Sequence, residues 1–229
     1  NRDAEQAAAA TSRYVDTVVR EIQVGGAGAF DWTDGSWEPA PLDTVYFGGG
    51  TPSLLPTEGF RRILEALQQR FGLAPGAEIT VELDPGTFDG GKVRDLAALG
   101  VNRASIGTQS LDDGTLELCG RGHTGEEALA AVAAVLAAGV ANVSVDFLSG
   151  VPGQSEEALR RGLRRAAGLG VSHVSVYDLQ YEPGTPFERQ FPEAGEAGRP
   201  SEGAAADLYV AAHEELAAAG FEHYEVSSF

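Results

Sequence analysis

Asp43-Thr-Val-Tyr-Phe-Gly-Gly-Gly-Thr-Pro-Ser-Leu-Leu-Pro56 joins a β-rich run to three glycines and a proline. Thr44 to Phe47 fits a buried strand. Gly48, Gly49 and Gly50 leave no side chains at its C-terminal end, so backbone N–H and C=O groups can approach a ligand closely. Thr51 follows, and Pro52 stiffens the exit and offers no donor. A tight turn with no ligand is the plain alternative. Further on, other apolar runs also end in polar groups: Glu82 with Asp84, Gln109, Asp146, and Tyr177 with Gln180. Buried polar groups need partners, because burial without them costs a few kcal/mol each. Either these groups bond one another and nearby amides, or they bond a ligand. Arg121 is open to two readings as well, a ligand contact or a surface ion pair with Glu126 or Glu127.

The elements that would position these residues alternate regularly. Residues 4–23 read as a helix, with Tyr14, Val15, Val18, Val19 and Ile22 at helical spacing. Residues 24–41 read as a loop carrying Trp32 and Trp37. Strands are expected at 42–47, 77–83, 101–107, 141–148 and 171–179, and an edge-like sixth at 221–229. Helices are expected at 57–71, 89–99, 112–119, 125–138, 155–168 and 204–219, with residues 186–203 irregular. Thr124 with Glu127 has the spacing of a capping box. Strand, polar loop and helix repeat every 30–35 residues or so, which predicts parallel βα units. A barrel or part-barrel is favoured over an open doubly wound sheet, because each strand end delivers its own polar group. In a βα barrel those ends share one rim. Residues 1–41 are expected to lead into a single core of 42–229.

Composition narrows the classes. The chain has 229 residues, 43% hydrophobic and 22% charged, as expected of a soluble globular protein. A net charge of −18 argues against nucleic acid as a partner. No run of about 18 apolar residues suggests a membrane span. Cys119 is the only cysteine, so no intrachain disulfide forms and a reducing compartment is expected. It is read as a buried small hydrophobe in the 112–119 helix, and one cysteine cannot hold an iron–sulfur cluster unaided. No methionine occurs, even at position 1, so the chain is expected to start inside a longer protein. No pair among His123, His173, His213 and His223 has a metal-site spacing, and no metal ligands are expected in this chain. An unrelated phosphate-binding barrel would want basic groups near the glycine turn. No Lys or Arg lies between Asp43 and Phe60.

Phe47-Gly-Gly-Gly-Thr-Pro-Ser-Leu-Leu55 resembles the glycine motif of radical S-adenosylmethionine (SAM) proteins of the HemN/HemW type. That group comprises oxygen-independent coproporphyrinogen III dehydrogenases and related haem chaperones. The resemblance extends through most of the chain. It takes in Tyr14–Ile22, Val81-Glu-Leu-Asp-Pro-Gly86, Val101-Asn-Arg-Ala-Ser-Ile-Gly-Thr-Gln-Ser110 and Leu118-Cys-Gly-Arg-Gly-His-Thr124. It continues in Val143-Ser-Val-Asp-Phe-Leu-Ser-Gly-Val-Pro-Gly-Gln154, Leu179-Gln-Tyr-Glu-Pro-Gly-Thr-Pro-Phe187 and Tyr224-Glu-Val-Ser-Ser228. The Leu179–Phe187 segment leans toward the HemW branch.

The resemblance implies a partial TIM-type (β/α)6 radical SAM barrel whose first strand and C-x-x-x-C-x-x-C cluster loop are not in this chain. The C-terminal domain that the family carries is likewise expected to lie outside this sequence. It implies a SAM pocket. Within the Gly48–Pro52 motif, Gly49, Gly50 and Thr51 would hold the methionyl amino group, and Glu82 would contact the amino or ribose side. Gln109, Arg121 and Asp146 would contact the carboxylate and ribose. The intact protein would bind a 4Fe–4S cluster as well as SAM and handle haem or a porphyrin, in the cytoplasm or an organelle. Chaperoning is favoured over oxidative decarboxylation, and a cluster-less SAM- or haem-binding relative is the non-catalytic alternative. The haem acceptor and any haem-ligating histidine stay open.

Overall fold

The computed structural model describes residues 2–24, 40–192 and 198–229. The Trp32/Trp37 loop lies outside them. Helix α1 (Arg2–Val24) precedes strand β1 (Leu42–Phe47), a 3-10 turn (Pro52–Leu54) and α2 (Thr57–Arg70). Then come β2 (Leu73–Leu83), α3 (Gly90–Ala98), β3 (Arg103–Gln109), α4 (Asp113–Leu118) and α5 (Gly125–Ala137). The remainder is β4 (Asn142–Ser149), α6 (Glu156–Ala167), β5 (His173–Asp178), α7 (Pro186–Gln190) and α8 (Glu202–Ala218). All five strands pair parallel in the order β1-β2-β3-β4-β5, curled into a half-barrel.

Helix starts follow local chemistry. Asp89, Asp112, Ser155, Thr185 and Ser201 each accept the N3 amide with their side chain, and Thr124 with Glu127 closes the expected capping box. Val81, Ile106, Val143, Val145, Phe147 and Val174 are essentially sealed from solvent. They share a core with Phe60, Leu96, Val132, Val135, Leu163 and Leu216 on the helices. At about 25 cal/mol per Å² of apolar surface, this layer dominates stability. Helix α1 packs on α2, where Val15 is buried and Asp16 accepts from Arg62 at 2.7 Å.

The other face of the sheet has opposite chemistry. Alternate residues are polar in every strand after the first: Glu78, Thr80 and Glu82; Arg103 and Ser105; Ser144 and Asp146; His173 and Ser175. The register sets Thr80 beside Arg103, Glu82 beside Ser105, Ser105 beside Ser144, and Asp146 beside Ser175. Period-2 alternation puts all of these on one face. Thr80, Ser105, Ser144 and Ser175 are buried there.

Three expectations need correction. Residues 221–229 form no sixth strand. They fold into a turn with isolated antiparallel bridges, Ser175 to Ser228 and Glu225 to Ser228. Phe229 exchanges both backbone bonds with Val174, at 2.9 and 3.0 Å, and that contact ends the sheet. Residues 186–203 are not wholly irregular, because Thr185 and Pro186 open the short α7. Cys119 is half-buried at the end of α4 rather than buried.

Candidate functional site

The glycine turn is held open by its own backbone. Gly49 and Gly50 adopt φ of +80° and +60°, a region costly for residues with a Cβ. Gly48 serves a different need. A Cβ there would lie 2.5 Å from the Tyr46 ring and 2.9 Å from Glu82 Oε1. Behind the turn, Ser53 is fully buried. Its hydroxyl accepts from the Asp84 amide at 3.1 Å and meets the Thr87 hydroxyl at 2.5 Å, while the Lys92 ammonium bonds its carbonyl. Ser53 therefore fastens the glycine turn to the β2–α3 loop.

Glu82 is fixed by two donors, the Tyr46 hydroxyl at 2.8 Å and the Gly49 amide at 2.9 Å. Partial burial, and then the neighbouring carboxylate, push the Tyr46 phenol's ionisation well up, so it stays a donor. Next along the sheet, Gly107 leaves room for two side chains. A Cβ there would lie 3.0 Å from Gln109 Nε2 and 3.2 Å from Arg121 Nη2. Gln109 is the one non-glycine with positive φ among the described residues, at +60°. Such a conformation costs on the order of 1–3 kcal/mol. Arg121 donates to Asp84 Oδ1 at 3.0 Å and to the Gly107 carbonyl at 3.2 Å. Its partner is thus Asp84. Glu126 pairs with Arg165, and Glu127 is spent on the cap. His123 is buried beneath, with Nε2 3.3 Å from the Thr108 carbonyl and Nδ1 3.9 Å from Asp84 Oδ1.

Asp146 completes the row on β4. Ser105 Oγ donates to Oδ2 at 3.0 Å, while Oδ1 is buried with no partner. Burial raises the carboxyl's pKa, and the Ser175 and Ser105 hydroxyls pull partly against it. Glu82 also pushes it up, so the two carboxylates sense one another across the polar face. Gln154 has a second orphan, Oε1, while its amide nitrogen donates to the Leu148 carbonyl at 2.9 Å. Gln180 turns back onto Asp178, and Tyr177 faces solvent. Those two do not join the row.

The glycine motif, Glu82 and Gln109 sit at the C-terminal ends of β1 to β3 or just beyond, Asp146 lies inside β4, and Arg121 comes from the turn between α4 and α5 and is brought to the β2 exit by Asp84. Two carboxylates, a guanidinium and an amide over an open glycine turn suit a ligand with an ammonium, hydroxyls and a carboxylate. Sequence reasoning missed Tyr46, Ser53 and Ser105. Tyr46 and Ser105 were readable from the strand alternation. Ser53 gave no signal, because its partners lie more than 30 residues away. A cavity of about 700 Å³ opens between α1, β1 and α2 and takes in Tyr46, Gly48, Gly49, Thr51 and Pro52 of the turn itself. Its lining is mostly apolar and includes none of Glu82, Gln109, Arg121 or Asp146.

Residues 34–166 match the family model of the radical SAM superfamily. The chain is 41% identical over 216 residues to the heme chaperone HemW of Synechocystis sp., covering 94% of this chain and 50% of that protein. It is 37% identical to HemW of Escherichia coli over 82% of this chain and 48% of the relative. It is 38% identical to the mitochondrial radical S-adenosyl methionine domain-containing protein 1 of Bos taurus, over 82% and 42%. The chain spans about half the length of these curated relatives. Among solved structures, the coproporphyrinogen III oxidase HemN of Escherichia coli, a radical SAM enzyme, superposes with a TM-score of 0.81. That match has 26% identity and covers 95% of this chain and 48% of that one.

Proposed function

This chain belongs to the radical SAM superfamily, and from that premise we propose that it is the SAM-binding core of a HemW-like protein of haem metabolism. One observation carries the reading: Asp146 holds a buried carboxylate oxygen with no partner, on the same sheet face as a clamped Glu82, with Ser105 between them, while Arg121 is fastened to Asp84 just past β2. An orphaned buried oxygen costs about 1–3 kcal/mol unless a ligand donor reaches it. SAM carries matching groups, and the turn is open to one at Gly49 and Gly50, where an added Cβ would meet nothing within 4 Å.

In this reading Gly49, Gly50 and Thr51 offer backbone to the methionyl amino group, with Pro52 fixing the exit. Glu82, steadied by Tyr46, accepts from the amino or ribose side. Arg121 and Gln109 take the carboxylate, and Asp146 takes a ribose hydroxyl. Proteins of this family use SAM with a 4Fe–4S cluster, which supplies an electron to it. The single cysteine, Cys119, does not fit such a cluster, which thiolates hold. This chain by itself therefore binds SAM without reducing it. Haem or a porphyrin is the proposed cargo of the whole protein. Higher identity to the heme chaperones than to the oxidase favours chaperoning over decarboxylation.

Titration calorimetry with SAM tests the pocket. Glu82→Ala or Asp146→Ala should each weaken binding tenfold or more, since a charged contact is worth about 1.5–3 kcal/mol. Unchanged affinity in both variants sinks the assignment. Haem titration followed in the Soret band tests the cargo separately.

A further inference from the structure

Far from the glycine turn, two imidazoles face each other where α8 meets the chain's last turn. His213 Nδ1, on α8, lies 3.0 Å from His223 Nδ1. His223 is held from three sides. Its ring stacks on buried Phe229 at 4.1 Å and 17°, and its Nε2 lies 3.3 Å from the Val226 carbonyl and 3.4 Å from the Tyr209 hydroxyl. A carbonyl has no proton to give, so Nε2 carries the hydrogen and donates it. His223 Nδ1 is then a free lone pair, and His213 donates its own Nδ1 proton toward it.

This is how metal-binding imidazoles are commonly arranged: one nitrogen anchored by a backbone carbonyl, the other free to ligate. We propose that His213 and His223 form a two-imidazole site for a divalent transition-metal ion of the zinc class. Two metal–nitrogen bonds of about 2.0–2.1 Å at a tetrahedral angle span about 3.3 Å, a few tenths beyond the distance seen here. Only the exposed His213 needs to move, exchanging its Nδ1 proton for the metal. Trans ligation would need about 4 Å between the nitrogens, so the pair does not flank a haem iron. Among the described residues, no third His, Cys, Asp or Glu converges on the pair, and water takes the remaining positions. The Glu225 carboxylate, engaged by the Ser227 amide and Ser228 hydroxyl, is within electrostatic range of His223. A net charge of −18 further favours a cation. Bound metal would clip the turn that carries Phe229 to α8, and so press Phe229 against Val174 on β5.

Tag-free chain titrated with zinc ion by calorimetry decides the matter, with circular dichroism reporting the fold of each variant. One equivalent should bind saturably. His213→Ala, on an exposed helix position, should weaken it at least tenfold, as should His223→Ala, while Cys119→Ser should leave it unchanged. No saturable uptake by the wild-type chain overturns the site. So does uptake that survives His213→Ala, or uptake that disappears with Cys119→Ser.

Discussion

On the proposed reading, Asp146 concentrates the tension between holding a ligand and holding the fold. Burial keeps its folded-state pKa above the unfolded value, so the native chain binds this proton more tightly. Its contribution to stability is therefore fullest below the unfolded pKa, about 3.9. It is lost as the pH rises through the folded value. At neutral pH the ionised group is a net cost, only partly offset by Ser105 and Ser175. Asp146→Asn should raise the unfolding free energy at pH 7 by about 1 kcal/mol. It should also flatten the decline in stability with rising pH above about pH 4. Urea unfolding across a pH series checks both. A variant less stable than wild type at pH 7 would mean that water already satisfies Oδ1. The same substitution should cost SAM affinity, so one residue should move stability and binding in opposite directions.

Among the elements, α5 shows how a loop contact can override helix propensity. Gly125 opens that helix, and a Cβ there would sit 2.4 Å from the Leu111 carbonyl oxygen. Alanine is the better helix former by about 1 kcal/mol, yet backbone cannot step aside as a side chain can. Gly125→Ala should destabilise by about 1–3 kcal/mol in thermal unfolding. Gly114→Ala in α4 meets only the Asp112 side chain, at 3.4 Å, and should be neutral or stabilising. Stabilisation by Gly125→Ala would show that the β3–α4 loop, which carries Leu111, yields. The elements themselves were mostly legible, because parallel βα units announce themselves by spacing and caps, as Thr124 and Ser155 do. Glu82, Gln109 and Asp146 were legible as strand-end polar residues, whereas Arg121, in the turn after α4, was singled out only through the family resemblance. The polar face was not, because each strand was read by its apolar residues, while Thr80, Ser105, Ser144 and Ser175 alternate with them. The tail was mistaken for a strand because Tyr224–Phe229 is β-rich, whereas its turn and its bonds to β5 depend on distant partners.

At the scale of the whole molecule, charge is the least local property. A net −18 repels itself in the compact state. Paired networks relieve it only in places, as where Arg160 bridges Glu156 and Glu214 and Arg164 bridges Glu157 and Glu215 between α6 and α8. Such exposed pairs are worth about 0–1 kcal/mol each. Raising ionic strength from about 0.01 M to about 0.15 M shortens the Debye length from about 30 to about 8 Å. Screening of the repulsion should outweigh screening of the pairs, and the midpoint of thermal unfolding should rise with sodium chloride. A midpoint that falls would put the α6–α8 pairs in control.

Ser53 has a consequence for how the two ends of the pocket behave together. Through the Asp84 amide it grips the strand exit, and through the Asp84 carboxylate that exit grips Arg121. The glycine turn and the guanidinium are thus strung on one line of bonds scarcely longer than a single residue. If the proposed pocket is correct, a ligand meeting both ends would meet one bonded body rather than two independent groups.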